Sequence, residues 1–440
     1  MLILHLSDIH FKSSHVGQPM DPNHHLRNKL LLDAKEMCAK LASAPDVVII
    51  SGDIAHAAKQ DEYAFAKSWL SDLCGNLNIP LSSVFVVPGN HDVCRDTAGK
   101  VVVQSLHDGV KARAKSVEVN DELRRHLSDA EAGELLYKSL ANYNAFAGNF
   151  LCGLLPPTKT VAIRNLSLND GSVLRISGLN STFLSSAKDR KGDLFVDPAA
   201  LSITDEYGVI HLTVCHHPPE WIRNGTEFES HLDDVALIQL FGHEHTNRIL
   251  QEHNHRLRIA ASAAHPDKRE HGWEPGYNLI EVQVVGEGAK RRLETRTHVR
   301  IWQSNPGGFI AKSPRQGGAV FFHSADLPEW RAPTPVVSLE KPAHFAVDAS
   351  PAVAAVLEAE DALTEKARVD PLTSVREVCL HFFELTFSQK SEIAGRLNLL
   401  RDEDGNVPDF ERSRRVLERA LEENRVHELA EAIKLAAQRH

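Results

Sequence analysis

A chain of 440 residues with 42% apolar and 25% charged side chains is long enough for two to three packed domains, and its composition is not that of a disordered, collagen-like or wholly coiled-coil protein. Its 49 Lys and Arg against 59 Asp and Glu leave a formal charge of −10, which provides no general attraction for a phosphate backbone and argues against a non-specific duplex-DNA coat. The six cysteines lie far apart without a C-x-x-C pair, as expected of reduced thiols in a cytoplasmic protein, and no apolar run approaches the ~18 residues that a membrane helix needs.

In chain order, short β-branched runs each stop at a polar cluster. Leu2 to Leu6 precedes Ser7-Asp8, Val47 to Ile50 precedes Ser51-Gly52-Asp53, and Val84 to Val87 precedes Pro88-Gly89-Asn90-His91-Asp92. Such runs predict buried strands with functional groups at their C-terminal ends. Between the first two, Leu30, Ala34, Met37 and Leu41 recur at helical spacing, so strand, helix and strand indicate an α/β core. Residues 97–160 break this rhythm with helical, charge-dotted sequence and are expected to form an insertion or cap. Two further loaded strands follow, Val209 to Cys215 before His216-His217-Pro218-Pro219, and Val235 to Phe241 before Gly242-His243-Glu244-His245. The expected domains are 1–285, a strand-containing extension at 286–340, a Pro/Ala-rich linker at 341–370, and a helical interaction domain at 371–440.

Because α/β sheets gather ligands beyond the carboxyl ends of their strands, the five polar clusters are expected to converge on one crevice. Their carboxylates, imidazoles and one amide form a mixed oxygen and nitrogen set that suits manganese, iron or zinc better than magnesium or calcium. In Asp8-x-His10 and His243-x-His245 an extended backbone would turn both side chains to one side, making two chelating pairs. Single histidines elsewhere (His5, His15, His24, His25, His56 and His211) are read as ordinary hydrogen-bonded residues. Arg95, Lys188, Arg190 and Lys191 could bind a substrate phosphate, but as exposed basic residues they are read as solvated.

In this order, D-x-H, GD, GNHD, HHPP and GHEH resemble the calcineurin-like metallophosphoesterase superfamily, whose fold is a β-sandwich flanked by helices. The resemblance implies that Asp8, His10 and His245 bind one divalent ion, that Asn90, His216 and His243 bind a second, and that Asp53 bridges them. Manganese is the first expectation, with iron or zinc as alternatives. It further implies His91 as the catalytic imidazole, with Asn90 and His91 at the substrate; Asp92, adjacent to His91 in sequence, is read as the group that fixes its tautomer, and His217 as either a substrate contact or a structural support. Two metals would orient a bridging hydroxide and neutralise charge at phosphorus, so the implied substrate is anionic.

The motif set most resembles the bacterial class that includes cyclic-nucleotide phosphodiesterases, so hydrolysis of a nucleotide or cyclic-nucleotide diester is expected first. A DNA or RNA nuclease of a repair or antiphage defence system is the alternative. An inactive nucleotide-binding adaptor is the competing reading of another class. In residues 371–440, 11 Lys and Arg face 13 Asp and Glu without a ligand cluster. Helical sets such as Val375, Cys379 and Phe382, then Val416, Leu417, Ala420 and Leu421, line one side of each helix, and Phe387 to Leu399 followed by Phe410 to Ile433 resembles bacterial effector-associated or death-like adaptor domains. That resemblance implies a protein partner or self-association, and no membrane.

Overall fold

A computed structural model describes the chain except for residues 19–20, 114, 157–158, 198–201, 246–247, 252–255, 267–272, 315–317, 332–374, 386, 402–403, 405–408 and 438–440. It divides into two units, Met1–Ala332 and Pro333–His440.

In the first unit, β1 (Leu2–Leu6), β2 (Val47–Ile50) and β3 (Val84–Val86) pair in parallel, each buried along its whole length. Strands covered on both faces must be apolar at every position, which is why they read as unbroken runs. The crossovers are α1 (His24–Leu41), which buries Leu26, Leu30, Ala34 and Met37, and α2 (Gln60–Leu77), which buries Tyr63, Ala66, Trp69 and Leu73. The second sheet contains β4 (Ala162–Ser167), β5 (Val173–Leu179), β6 (Val209–Cys215), β7 (Ala236–Phe241), β8 (Arg248–Gln251) and β9 (Leu257–Ala260), in the order β4-β5-β6-β7-β9-β8. β5, β6, β7 and β9 are parallel. The chain then returns to the first sheet through β10 (Gly276–Val285), antiparallel to β1.

The two sheets share one apolar core, in which Ile3, Val48 and Val86 join Leu174, Leu212 and Leu240. They approach closely at Gly178 of β5, where an added Cβ would come within 2.7 Å of Val87 Cγ1. This is the expected α/β sandwich with flanking helices.

After residue 285, β11 (Arg292–Ser304) pairs with β10, and β12 (Gly307–Ala311) and β13 (Phe321–Asp326) pair with β11, so these strands add to the first sheet. The expected 341–370 linker lies outside the described residues. The insertion contains α3 (Val101–Lys111), α4 (Ser116–Leu127), α5 (Ala130–Leu136) and α6 (Ala141–Gly148). Its last helix does not cap the crevice: Phe146 stacks on Tyr63 of α2, and the Tyr143 hydroxyl donates to the Val86 carbonyl at 3.2 Å.

The second unit has α8 (Val375–Glu384), α9 (Phe387–Arg396), α10 (Asp409–Glu422) and α11 (Val426–Ala437), numbered after α7 (Gly225–Val235) of the first. Val378, Phe382, Ile393, Val416, Ala420, Leu429 and Ile433 are buried. Leu421, expected on the same apolar side, is 46% exposed. Asp404 is fully buried and accepts hydrogen bonds from Arg419 at both oxygens and from the Arg401 amide at 2.9 Å. Among the described residues no helix is long and apolar enough to cross a membrane, and all six cysteines are free.

Candidate metal centre

The carboxyl ends of β1, β2 and β3 in one sheet and of β6 and β7 in the other deliver the polar clusters to one place. The loops after β1 and β2 are joined by backbone bonds, from the Asp8 amide to the Gly52 carbonyl at 3.1 Å and from the His10 amide to the Asp53 carbonyl at 2.9 Å. Asp8, His10, Asp53, His243 and His245 are all left-handed, with φ of 51°, 50°, 53°, 69° and 54°. Asp and His tolerate this region better than most residues, yet each such residue costs about 1–3 kcal/mol, and such strain concentrates at functional sites. The two D-x-H and H-x-H pairs are therefore aimed by αL turns and not by strand alternation, and the expectation of an extended backbone is corrected.

The side chains form adjoining groups. In one, Asp8 Oδ1 lies 3.3 Å from His245 Nε2 and 3.8 Å from His10 Nε2, and the two imidazole nitrogens are 3.4 Å apart. In the other, Asn90 Oδ1 lies 3.2 Å from His216 Nε2 and 3.1 Å from His243 Nδ1. Asp53 Oδ2 faces both groups, 3.4 Å from His216 Nε2 and 3.8 Å from His10 Nε2. His243 and His245 thus serve different groups and do not chelate as a pair. Glycine is required behind them: a Cβ on Gly89 would come within 2.1 Å of Asp53 Oδ1.

Backbone carbonyls orient two of the imidazoles. His216 Nδ1 donates to the Ser51 carbonyl at 2.8 Å, which turns Nε2 toward Asp53 and Asn90. His91 Nδ1 donates to the His56 carbonyl at 2.7 Å, and its amide donates to Asp53 Oδ1 at 2.7 Å. The His91 ring stacks on His56 at 5.1 Å and meets His10 edge-on at 4.7 Å. Asp92 does not hold the His91 tautomer, contrary to the sequence-based expectation. Its buried carboxylate accepts from the amides of Ile54, Ala55 and Gly89 and from the Tyr63 hydroxyl at 2.9–3.2 Å, pinning the β2 and β3 loops together. His217 is 1% exposed and shares its Nδ1 hydrogen bond with Ser181 Oγ at 2.8 Å, its ring packing 4.4 Å from His243.

His56 was legible as a histidine but read as ordinary; the structure groups it with His10 and His91. The Ser51 and His56 carbonyls carry no sequence signal at all. Nor was His265 singled out: it is buried, and its Nδ1 donates to the Ile9 carbonyl at 2.8 Å.

Electrostatics keep most of the donors deprotonated. Burial pushes the Asp8 carboxyl upward, but His245 and His216 override it and hold it at about 2. Asp53 is likewise held well below the usual carboxylate range, chiefly by His216 against the effect of burial. Burial lowers His10 to about 3 and His243 to about 4, leaving neutral imidazoles with free lone pairs. His216 is the exception, since Asp53 and Asp8 overcome its burial and raise it to about 9: positive charge is favoured where its Nε2 points. Burial and the neighbouring Asp53 raise Asp92 to about 6.

This donor set fits divalent cations. Asp8 Oδ1 is buried without a hydrogen bond, a loss of about 1–3 kcal/mol unless another partner satisfies it. The trios Asp8, His10, His245 and Asp8, Asp53, His216 each place their ligand atoms within 4.8 Å of one another, as does His216, His217, His243. Carboxylate oxygens and neutral imidazoles at such spacing are the ligands of manganese, iron and zinc.

The chain belongs to the calcineurin-like phosphoesterases, whose family model matches residues 1–247. That family binds two divalent metals. A GTPase-associated adaptor domain model matches residues 374–435, bearing out the reading of the tail as a small helical adaptor. An uncharacterised metallophosphoesterase-like protein of Bacillus subtilis, YydB, is 25% identical over 254 residues, 55% of this chain and 48% of that protein. The glycerophosphodiester phosphodiesterase GpdQ of Enterobacter lignolyticus is 35% identical over 97 residues, 21% of this chain and 30% of that protein. The chain therefore spans half or less of each of these curated relatives. Among solved structures, a dimetal phosphatase from Danio rerio aligns with 67% of this chain and 95% of its own at 11% identity and a TM-score of 0.35.

Proposed function

We propose that the first unit is a binuclear metal-dependent phosphodiesterase acting on a nucleotide or other small organic diester, and that the tail tethers it to a protein partner. The observation that carries this reading is the convergence of Asp8, His10, Asp53, Asn90, His216, His243 and His245 around a buried carboxylate oxygen without a hydrogen bond. Asp8, His10 and His245 would hold one ion, Asn90, His216 and His243 the other, with Asp53 shared; manganese is the first candidate. When bound, such ions neutralise charge on phosphoryl oxygens and lower the pKa of water at the site. His91 turns its Nε2 away from the His56 carbonyl and can give a proton to the leaving oxygen or a hydrogen bond to the phosphoryl group. His217 acts as a packing support for His243, its exposure being too small for substrate contact. The name of the Enterobacter relative supports a diester over a monoester.

The test is elemental analysis of the purified full-length chain together with turnover of bis-p-nitrophenyl phosphate with and without manganese. Bound transition metal and manganese-stimulated hydrolysis are expected. Absence of both overturns the reading.

A further inference from the structure

Beside the cluster lies a cavity of about 460 Å³ between the insertion and the loop that follows β5. Its size falls within the range of small-ligand sites, ~300–1,000 Å³. On one side its wall begins at Arg95, four residues after His91; on the other it includes Lys188 and Asp189. The loop carrying Lys188 reaches the metal cluster at two points. Ser181 holds His217 at 2.8 Å, and Lys191 lies 4.0 Å from Glu244, the residue between His243 and His245.

The charges on this wall are unevenly matched. Lys111 lies 3.9 Å from Asp189, and Arg223 lies 3.7 Å from Asp193, so these four largely neutralise one another. Arg95 and Lys188 have no hydrogen-bond or ion-pair partner for their side-chain charges among the described residues, and both are exposed. Against them stands Asp108, an exposed acid on the same wall that is likewise without an ion-pair partner. Two free cations beside one free acceptor match a ligand that presents an anionic group and hydroxyl donors together. Arg95 follows the His91 turn by four residues, and the loop of Lys188 touches His217 and Glu244, so the cavity is tied by the chain to both sides of the proposed reaction centre.

We infer that this cavity is a specificity subsite, in which Arg95 and Lys188 bind a second anionic group on a polyhydroxylated portion of the substrate while Asp108 accepts from its hydroxyls. This rests on the reading of the adjacent cluster as a phosphoester-hydrolysing centre, and it narrows the substrate class to diesters that carry a further phosphate or carboxylate on that portion.

The experiment uses the manganese-loaded full chain and calorimetric binding of adenosine 3′,5′-bisphosphate and of the 3′- and 5′-monophosphates, which share base and sugar and differ in the second anion. The bisphosphate should bind about tenfold more tightly than either monophosphate, as one added charge-assisted contact gives. In the Arg95→Ala/Lys188→Ala double variant, or the Arg95→Gln/Lys188→Gln variant if the first proves unstable, this preference should vanish. Turnover of bis-p-nitrophenyl phosphate, which has no second anion, should be unchanged. Equal binding of bisphosphate and monophosphates by the parent, no binding of any, or a preference that survives the substitutions would overturn the inference. Loss of the preference accompanied by an equal loss of bis-p-nitrophenyl phosphate turnover would also overturn it, because the two side chains would then serve the general site. A preference that is present and lost on substitution, with no turnover by the parent, would leave the anion site standing and remove the catalytic reading.

Discussion

The two units treat buried carboxylates in opposite ways. In the second, Asp404 has both oxygens hydrogen-bonded and a guanidinium against it, so its charge holds helix α10 to the turn that precedes it. In the first, Asp8 is as deeply buried but keeps one oxygen without a hydrogen bond, beside His10, whose imidazole burial keeps neutral. Asp92, fully satisfied by three amides and Tyr63, shows that both kinds coexist in the first unit. A buried charge that is satisfied is a strut, and one left open is a site.

The contrast can be broken most sharply at Asp53. Asp53→Ala removes the carboxylate that faces both groups, and the variant should lose bound metal and more than ~1,000-fold of its turnover, read by elemental analysis beside a chromogenic diester assay. Next in size is His91→Ala, expected to retain its metal yet lose about 10²–10⁴-fold in turnover if its ring serves the proposed proton transfer. Loss of metal comparable to that from Asp53→Ala would place His91 among the ligands instead.

The struts should report in stability. Asp404→Ala removes the carboxylate from the buried Arg419 guanidinium and should destabilise the second unit by about 3 kcal/mol in a denaturant titration, with diester turnover unaffected. The same pair gives a smaller pH effect. Arg419 holds Asp404 at about 2, below the ~3.9 of an unfolded aspartate, so its contribution is complete above pH ~4 and is lost as pH falls from there toward 2. A second-unit melting temperature that stays flat over that window in the parent would contradict it. The smallest expected effect is that of ending the chain at Ala332, which should leave metal content and diester turnover within about twofold.

Much of the site was legible because parallel strands buried on both faces announce themselves as unbroken apolar runs, and the residues that stop those runs are the chemistry. Leu2 to Leu6 and Val209 to Cys215 are strands over those residues. The family resemblance added the partition of ligands between two ions, which periodicity does not carry. What could not be read is backbone geometry. The αL turns at Asp8 and His243 look like strand continuation when only residue types are visible, and the bond from His91 to a carbonyl leaves no trace in any side chain. Asp92 misled because adjacency in sequence suggested contact with His91, whereas its carboxylate turns to Tyr63 and the β2 loop.

The carbonyls of Ser51 and His56 set the proton positions of His216 and His91. No codon change at those two positions can delete a carbonyl, so the tautomers of both rings are inherited with the loop and not with any one side chain. Such a device is hard to lose by drift at the residues that provide it. Its weak point lies in the glycines that let the loops run where they do. At Gly52, with φ of 99°, an added Cβ would come within 2.4 Å of His216 Nδ1, the very atom that donates to Ser51. A single methyl group there would disturb ring orientation while leaving every proposed ligand in place, so a lineage that discards the chemistry but keeps the fold has a one-step route that a tally of ligand residues would not register.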